Sequence, residues 1–119
     1  MDNKTNVSPD IRKNEAYMKD RLGIGISFDV DFREIIVLDR KIQMYFVTGL
    51  CDSSIIQEVL KEMMYINEHE KSEAELPEIL TNRLVHQQVV HLETLDESVD
   101  ELLSGLVVIF VDGFYRSFS

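Results

Sequence analysis

The stretch Ser104–Ser119 reads SGLVVIFVDGFYRSFS, and its middle decides what kind of fold the chain can adopt. Leu106 to Val111 is the longest unbroken apolar run in the sequence. Its six residues fall far short of the ~18–20 that a membrane-spanning helix requires. Alternate positions are apolar on both parities, which predicts a strand covered on both faces and therefore central in its sheet. Asp112-Gly113 follows, a dipeptide favoured in type I′ hairpins. The second arm, Phe114 to Ser119, stops too soon for a full strand. This predicts an apolar edge that a continuation of the chain, or a second copy, would cover. On this reading the chain is the front end of something larger.

Working outward from that strand, Gly105 closes a helix whose apolar positions are Leu95, Val99, Leu102 and Leu103, with Thr94 and Glu97 spaced as a capping box. Val85 to Glu93 contains VVHLE and reads as a third strand. Pro77 sits where a helix would start, continued by Ile79, Leu80, Arg83 and Leu84. Glu68 to Glu75 is a charged, turn-like connector that could meet a basic surface but more simply stays solvated. Ser54 with Gln57 fits a second capping box, opening an amphipathic helix through Ile55, Ile56, Val59, Leu60, Met63 and Ile66 to about Asn67. Phe32–Leu38 and Ile42–Thr48 are β-rich and flank the polar turn Asp39-Arg40-Lys41, which predicts a hairpin. Gly23 and Gly25 loosen the segment before it. Ser8-Pro9 offers an N-cap and a first helical residue for a helix from Pro9 to Leu22, with Ile11, Met18 and Leu22 on one face.

The predicted order is α, β, β, α, α, β, α, β and a turn. Helices lying between strands imply crossovers, so the expected fold class is α/β: a mixed sheet of about four to five strands flanked by helices, in a single subdomain. Residues 1–8 are expected to be disordered, with 9–119 forming the domain.

Composition narrows the function. Of 119 residues, 45% are hydrophobic and 29% charged, a globular balance. The net charge of −10, from 22 acidic against 12 basic residues, opposes binding to nucleic-acid backbones or to anionic membranes by charge. The single cysteine, Cys51, permits no intramolecular disulfide and suits a reducing compartment. The opening MDNKTNVSPDIRKNEAY is polar throughout, unlike a secretory signal.

Candidate chemistry is sparse. Asp29, Asp31 and Glu34 look like a carboxylate cluster. A calcium loop beginning at Asp29 would need oxygen ligands where Arg33 and Arg40 stand and a glycine at Glu34, so a polar strand entry is the simpler reading. His86 and His91 are an odd number of residues apart on a strand and project to opposite faces, so they cannot readily share a zinc ion; His69 lies in the acidic connector. Cys51 stands at the head of a helix whose dipole could activate a thiol, yet no basic partner is predictable nearby. No dinucleotide fingerprint, P-loop or nucleophile elbow is present. Met44, Met63 and Met64 read as core filler. The residues therefore offer no catalytic, cofactor or metal site.

Three stretches, taken in order, resemble a known family. VTGLCDSSIIQEVL (47–60) is similar to the strand–turn–helix with a Gly-Leu-x-Asp centre found near the start of GerA-type spore germination A subunits. LTNRLVHQQV (80–89) followed by TLDESVDELLSGLVVIFVDG (94–113) is similar to the later half of the same first subdomain. IGISFDVDFREI (24–35), with NRLVHQQV, looks most like the stage V sporulation protein AF branch. The resemblance spans roughly Arg21 to Gly113 and marks Gly49, Leu50, Asp52, Asn82, Arg83, Gly105, Asp112 and Gly113 as family-motif positions with a structural or interface role.

The resemblance implies a membrane protein of spore-forming bacteria whose N-terminal region, built of two α/β subdomains, lies on the cytoplasmic face of the inner spore membrane ahead of a bundle of membrane helices. Relatives are thought to form ion channels. Those of the A-subunit type open when nutrients bind partner subunits, and the AF branch amplifies ion release beside the dipicolinic acid release apparatus and a small membrane partner. Relatives continue beyond the position of Gly113, where this chain has only Phe114–Ser119. The expected function is non-enzymatic regulation or assembly through other subunits or copies of a membrane germination complex, without membrane insertion by this segment. The alternative is a small-ligand module with its cleft at the carboxyl ends of the strands, spanning Thr48–Ser54 and Asp112-Gly113. An enzyme built on Cys51 or an aspartate pair comes third.

Overall fold

The computed structural model describes residues 5–22, 30–50, 52–69, 76–83 and 90–119, with the backbone alone for His69, Asn82 and Arg83. The elements are α1 (Ile11–Leu22), β1 (Val30–Val37), β2 (Arg40–Val47), α2 (Ser53–His69), α3 (Leu76–Arg83), β3 (His91–Leu92), α4 (Leu95–Leu103), β4 (Val108–Val111) and β5 (Ser117–Phe118). The strands form one sheet in the order β1-β2-β4-β5-β3.

The α/β architecture, with five strands flanked by helices, is the expected one. The pairing differs in one respect: every neighbouring pair is antiparallel, not mixed. The crossover logic holds, because β3 and β4, joined through α4, do run in the same direction. However, β5 lies between them and is antiparallel to both. This insertion also corrects the reading of the C-terminal arm. Asp112 lacks the positive φ that a type I′ turn needs, and only Gly113 (φ 86°) has it. With Phe114 N–H donating to Val111 C=O at 3.1 Å, the arrangement is that of a type II turn. The chain then loops to Ser117 and pairs, so β4 keeps no open edge and β1 and β3 are the sheet edges.

Helices cover both faces. On one, Ile56, Val59, Met63 and Ile66 of α2 and Leu76 and Leu80 of α3 pack against Ile42, Met44, Phe46, Ile109, Val111 and Phe118. On the other, Ile11, Met18 and Leu22 of α1 and Leu95, Val99 and Leu102 of α4 pack against Tyr45, Val47, Val108 and Phe110. The alternation along β2 and β4 supplies both cores from the same strands. All four residues of β4 are buried, as its two-faced apolar pattern predicts.

Helix starts differ from expectation where a neighbouring carboxylate competes for the cap. Asp10, not Ser8, caps α1: it accepts the Arg12 amide at 3.1 Å, while Ser8 Oγ accepts that of Asp10. Gly113 N–H holds the Pro9 carbonyl at 2.8 Å and Asp112 accepts the Ile11 amide at 3.3 Å, so Pro9 stays outside the helix. In α2, Asp52 takes the amide and the hydroxyl of Ser54, each at 2.9 Å, in place of a Ser54–Gln57 box. Those two bonds, the amide first, hold the Asp52 carboxyl below its ordinary range. The Thr94 cap forms as predicted, accepting the Glu97 amide at 3.1 Å. Gly105 (φ 95°) ends α4 in a Schellman motif, with Leu106 N–H on Glu101 C=O and Gly105 N–H on Leu102 C=O.

The expected disorder of residues 1–8 does not hold for their described part. Val7 N–H donates to Glu93 C=O at 2.9 Å, Leu95 N–H to Thr5 C=O at 2.7 Å, and Val7 is buried in the α1–α4 core. Short antiparallel bonding gives this polar segment an anchor that its composition does not reveal. Turn Leu38-Asp39, with both φ positive (51° and 65°) and Val37 opposite Arg40, is a two-residue type I′ hairpin. Arg40 and Lys41, read as turn, belong to β2. Glu68 and His69 extend α2 into what reads as the acidic connector, and residues 70–75 and 84–89 lie outside the described set.

Candidate functional site

The candidate chemical groups do not assemble into a reaction centre. Asp31 and Glu34 lie on opposite faces of β1. The Asp31 carboxylate accepts the Phe32 amide at 2.9 Å and pairs with Arg33 at 3.6 Å, whereas Glu34 turns to Gln43. Asp29, Cys51 and His86 lie outside the described residues. Among those described, no group of three or more His, Cys, Asp or Glu is placed to hold a metal ion. Met44 and Met63 are core residues as expected, but Met64 points outward, 63% exposed.

His91 is a packed residue. Its ring meets Phe118 and Phe114 edge-on at centroid distances of 5.0 and 5.8 Å. Arg116 approaches Nδ1 at 3.5 Å and Thr81 Oγ1 lies 2.9 Å from Nε2. The Thr81 hydroxyl donates to Pro77 C=O at 2.8 Å. This network assigns the proton to Nε2. Burial, and then the positive charge of Arg116, push the imidazole below its ordinary pKa.

The family-motif positions separate into two groups. Because β2 and β4 are antiparallel, the loop after β2 and the loop after β4 fall at opposite ends of the sheet. Thr48–Ser54 and Asp112-Gly113 therefore cannot line one cleft, which overturns the expected carboxyl-end ligand site. Asp112 and Gly113 instead anchor α1 through the bonds to Ile11 and Pro9. Asn82 and Arg83 end α3, and their side chains lie outside the description.

At the other end, Gly49, Leu50, Asp52 and Gly105 come together. Gly49 (φ 93°) sits in a turn closed by Leu50 N–H on Val47 C=O at 3.1 Å. Gly105 abuts that turn so closely that a Cβ there would stand 3.2 Å from the Leu50 carbonyl oxygen and 3.4 Å from its Cβ. Positive φ and lack of space both require glycine at 105. Locked against it, Leu50 is 57% exposed, with Leu106 at 47% and Leu103 at 40%. Sequence reading misses the last two: Leu103 lies one position off the buried stripe Leu95–Val99–Leu102, and Leu106 precedes the strand proper. The available signal is a cluster of leucines at a helix end larger than one buried stripe can use.

Beside this surface, α2 and β1 leave two hollows that share Leu60. One of about 290 Å³ is bounded by Arg33, Thr48, Ser53 and Gln57, and one of about 320 Å³ by Ile36, Met63, Met64 and Asn67. Among the described residues no helix is long and apolar enough to cross a membrane.

Comparison with known proteins gives three findings. Residues 16–119 match the family model described as Bacillus/Clostridium GerA spore germination protein. Over 101 residues the chain is 45% identical to the stage V sporulation protein AF of Bacillus subtilis (strain 168), covering 85% of this chain and 20% of that protein. The chain thus spans about a fifth of the length of this curated relative. The crystal structure of the N-terminal domain of the A subunit of the Bacillus megaterium spore germinant receptor GerK3 shares the fold, with a TM-score of 0.83. That match covers 99% of this chain and 48% of the other at 18% identity. The chain belongs to the GerA family of spore germination proteins.

Proposed function

We propose that residues 9–119, together with the anchored segment before them, act as a non-enzymatic regulatory or assembly domain of a membrane-embedded germination complex. The domain works at the cytoplasmic face of the inner spore membrane, through contacts with other subunits that control ion release. The family is one of germination proteins and not a known enzyme family. One relative is by its name a receptor's A subunit, which favours a role within a multi-subunit assembly. The observation that carries the reading is the leucine surface of Leu50, Leu103 and Leu106, held out by two glycines at positive φ. Exposed leucines on a rigid support suit a protein contact.

The small-ligand alternative loses its cleft to the antiparallel pairing. The hollow that remains beside Thr48, of about 290 Å³, falls at the bottom of the ~300–1,000 Å³ that such sites occupy. The test of the proposal is deletion of residues 1–119 from the encoded protein. Spores are expected to release ions and germinate slowly; spores that do both at the normal rate would refute the proposal.

A further inference from the structure

We infer that the leucine surface receives a partner segment of apolar residues flanked by Lys or Arg, and not a second copy of this chain. The inference rests on the assembly role proposed above and concerns what docks there. Its basis is the way α4 uses its four carboxylates. Those in the first turn are engaged internally: Asp96 accepts the Tyr17 hydroxyl at 2.6 Å and the Thr5 amide at 2.8 Å, and Glu97 accepts the Thr94 hydroxyl at 3.0 Å. Asp100 and Glu101, in the last turns beside Leu103, have no side-chain hydrogen bond or ion pair among the described residues.

They also stand at the wrong end of the helix. The exposed carbonyls of a helix C-terminus carry partial negative charge, so carboxylates there are disfavoured and basic residues preferred. The last turn of α4 contains no basic residue. Nothing within the described fold recovers this unfavourable placement, whereas a cation brought by a partner would meet both carboxylates and the helix end together. Apolar contact would come from Leu50, Leu103 and Leu106, and charge would set orientation and exclude wrong partners. A second copy fits poorly: symmetric pairing would oppose the same carboxylates across the contact, in a chain already at net charge −10.

The experiment uses the 119-residue chain and two synthetic helical peptides with leucines on one face, flanked by lysines in one and by glutamates in the other. Binding is followed by calorimetry and amide chemical shifts. The lysine peptide is expected to bind, to shift the amides of Leu50, Leu103 and Leu106, and to weaken as salt rises. Leu50→Ser with Leu106→Ser should weaken it about tenfold, and Asp100→Asn with Glu101→Gln should abolish its preference over the glutamate peptide. The inference is overturned if neither peptide binds, if both bind equally, or if the leucine variants bind as tightly as the parent, which would mark a general attraction of opposite charges. Self-association mapped to these leucines would also overturn it. Failure here with a defective deletion strain removes the partner chemistry alone; a normal deletion strain removes the assembly role beneath it.

Discussion

Replacing Gln43 with leucine should cost about 3 kcal/mol of stability, because one amide ties α1 to the sheet. Gln43 is buried on the α1 side of β2, and its Nε2 donates to Glu15 Oε1 at 2.6 Å and to Glu34 Oε1 at 2.9 Å. Leucine fills a similar volume but removes both donors. A hydrogen bond to a charged acceptor contributes ~1.5–3 kcal/mol. The two carboxylates are 29% and 39% exposed and keep Lys19 at 3.2 Å and Lys41 at 3.8 Å. Water and lysine therefore recover roughly half of the loss, leaving about 2 kcal/mol. The Tyr45 hydroxyl, fully buried and 3.5 Å from the Gln43 amide oxygen, adds about 1 kcal/mol when that acceptor disappears. Burial, then Glu15 and Glu34, raise the Tyr45 pKa, so the phenol stays neutral and cannot compensate. With an unfolding entropy of ~2.1 cal/mol/K per residue, about 3 kcal/mol lowers the melting temperature by ~12 °C. Urea denaturation measures the difference directly. A double-mutant cycle with Glu15→Leu should show coupling of ~1–2 kcal/mol. A total loss below ~1 kcal/mol with no coupling would mean that the carboxylates are solvated and the bridge contributes nothing.

Three other outcomes follow from the same geometry. Gly105→Ala should destabilise by ~1–2 kcal/mol and shift the amide resonances of residues 48–50, since the new methyl meets the Leu50 carbonyl; unchanged resonances there would contradict the contact. Thr94→Ala removes the cap on Glu97 N–H and should cost ~1 kcal/mol in urea midpoint, with Thr94→Ser recovering most of it. His91 has a folded pKa below its unfolded value, so the unfolded state binds the extra proton. Its contribution is fully present above the unfolded value of ~6.5 and declines as pH falls from there through the folded pKa. Denaturation at several pH values should show this slope in the parent and lose it in His91→Gln, and imidazole NMR should place the midpoint below that of a histidine peptide.

Much of the architecture is legible in the residues because burial leaves a period in the sequence. Ile56, Val59, Met63 and Ile66 mark one face of α2, and Leu95, Val99 and Leu102 one face of α4. The unbroken apolar run ending at Val111 announces a strand packed on both sides. The candidate surface is legible in part: Gly49 and Gly105 can be singled out in the chain, and the Leu50 carbonyl resting where a Cβ of residue 105 would be cannot. That contact joins residues distant in sequence, and no local pattern encodes it. The exposure of Leu103 and Leu106 is hidden for a related reason, since composition does not say which leucines the core has room for.

The sequence by itself determined which segments are helix and strand, that the sheet is covered on both sides, and that charge excludes nucleic acid as a partner. Only the tertiary structure decided how the strands are ordered. Ser117-Phe118 is too short to show a period, yet it lies between β3 and β4 and makes every pairing antiparallel. Long-range closure also moved the α1 cap from Ser8 to Asp10, because Gly113 holds the Pro9 carbonyl, and it anchored Thr5–Ser8 against α4. Periodicity reports how each segment is buried; the partner that buries it is chosen by hydrogen bonds between segments far apart in the chain.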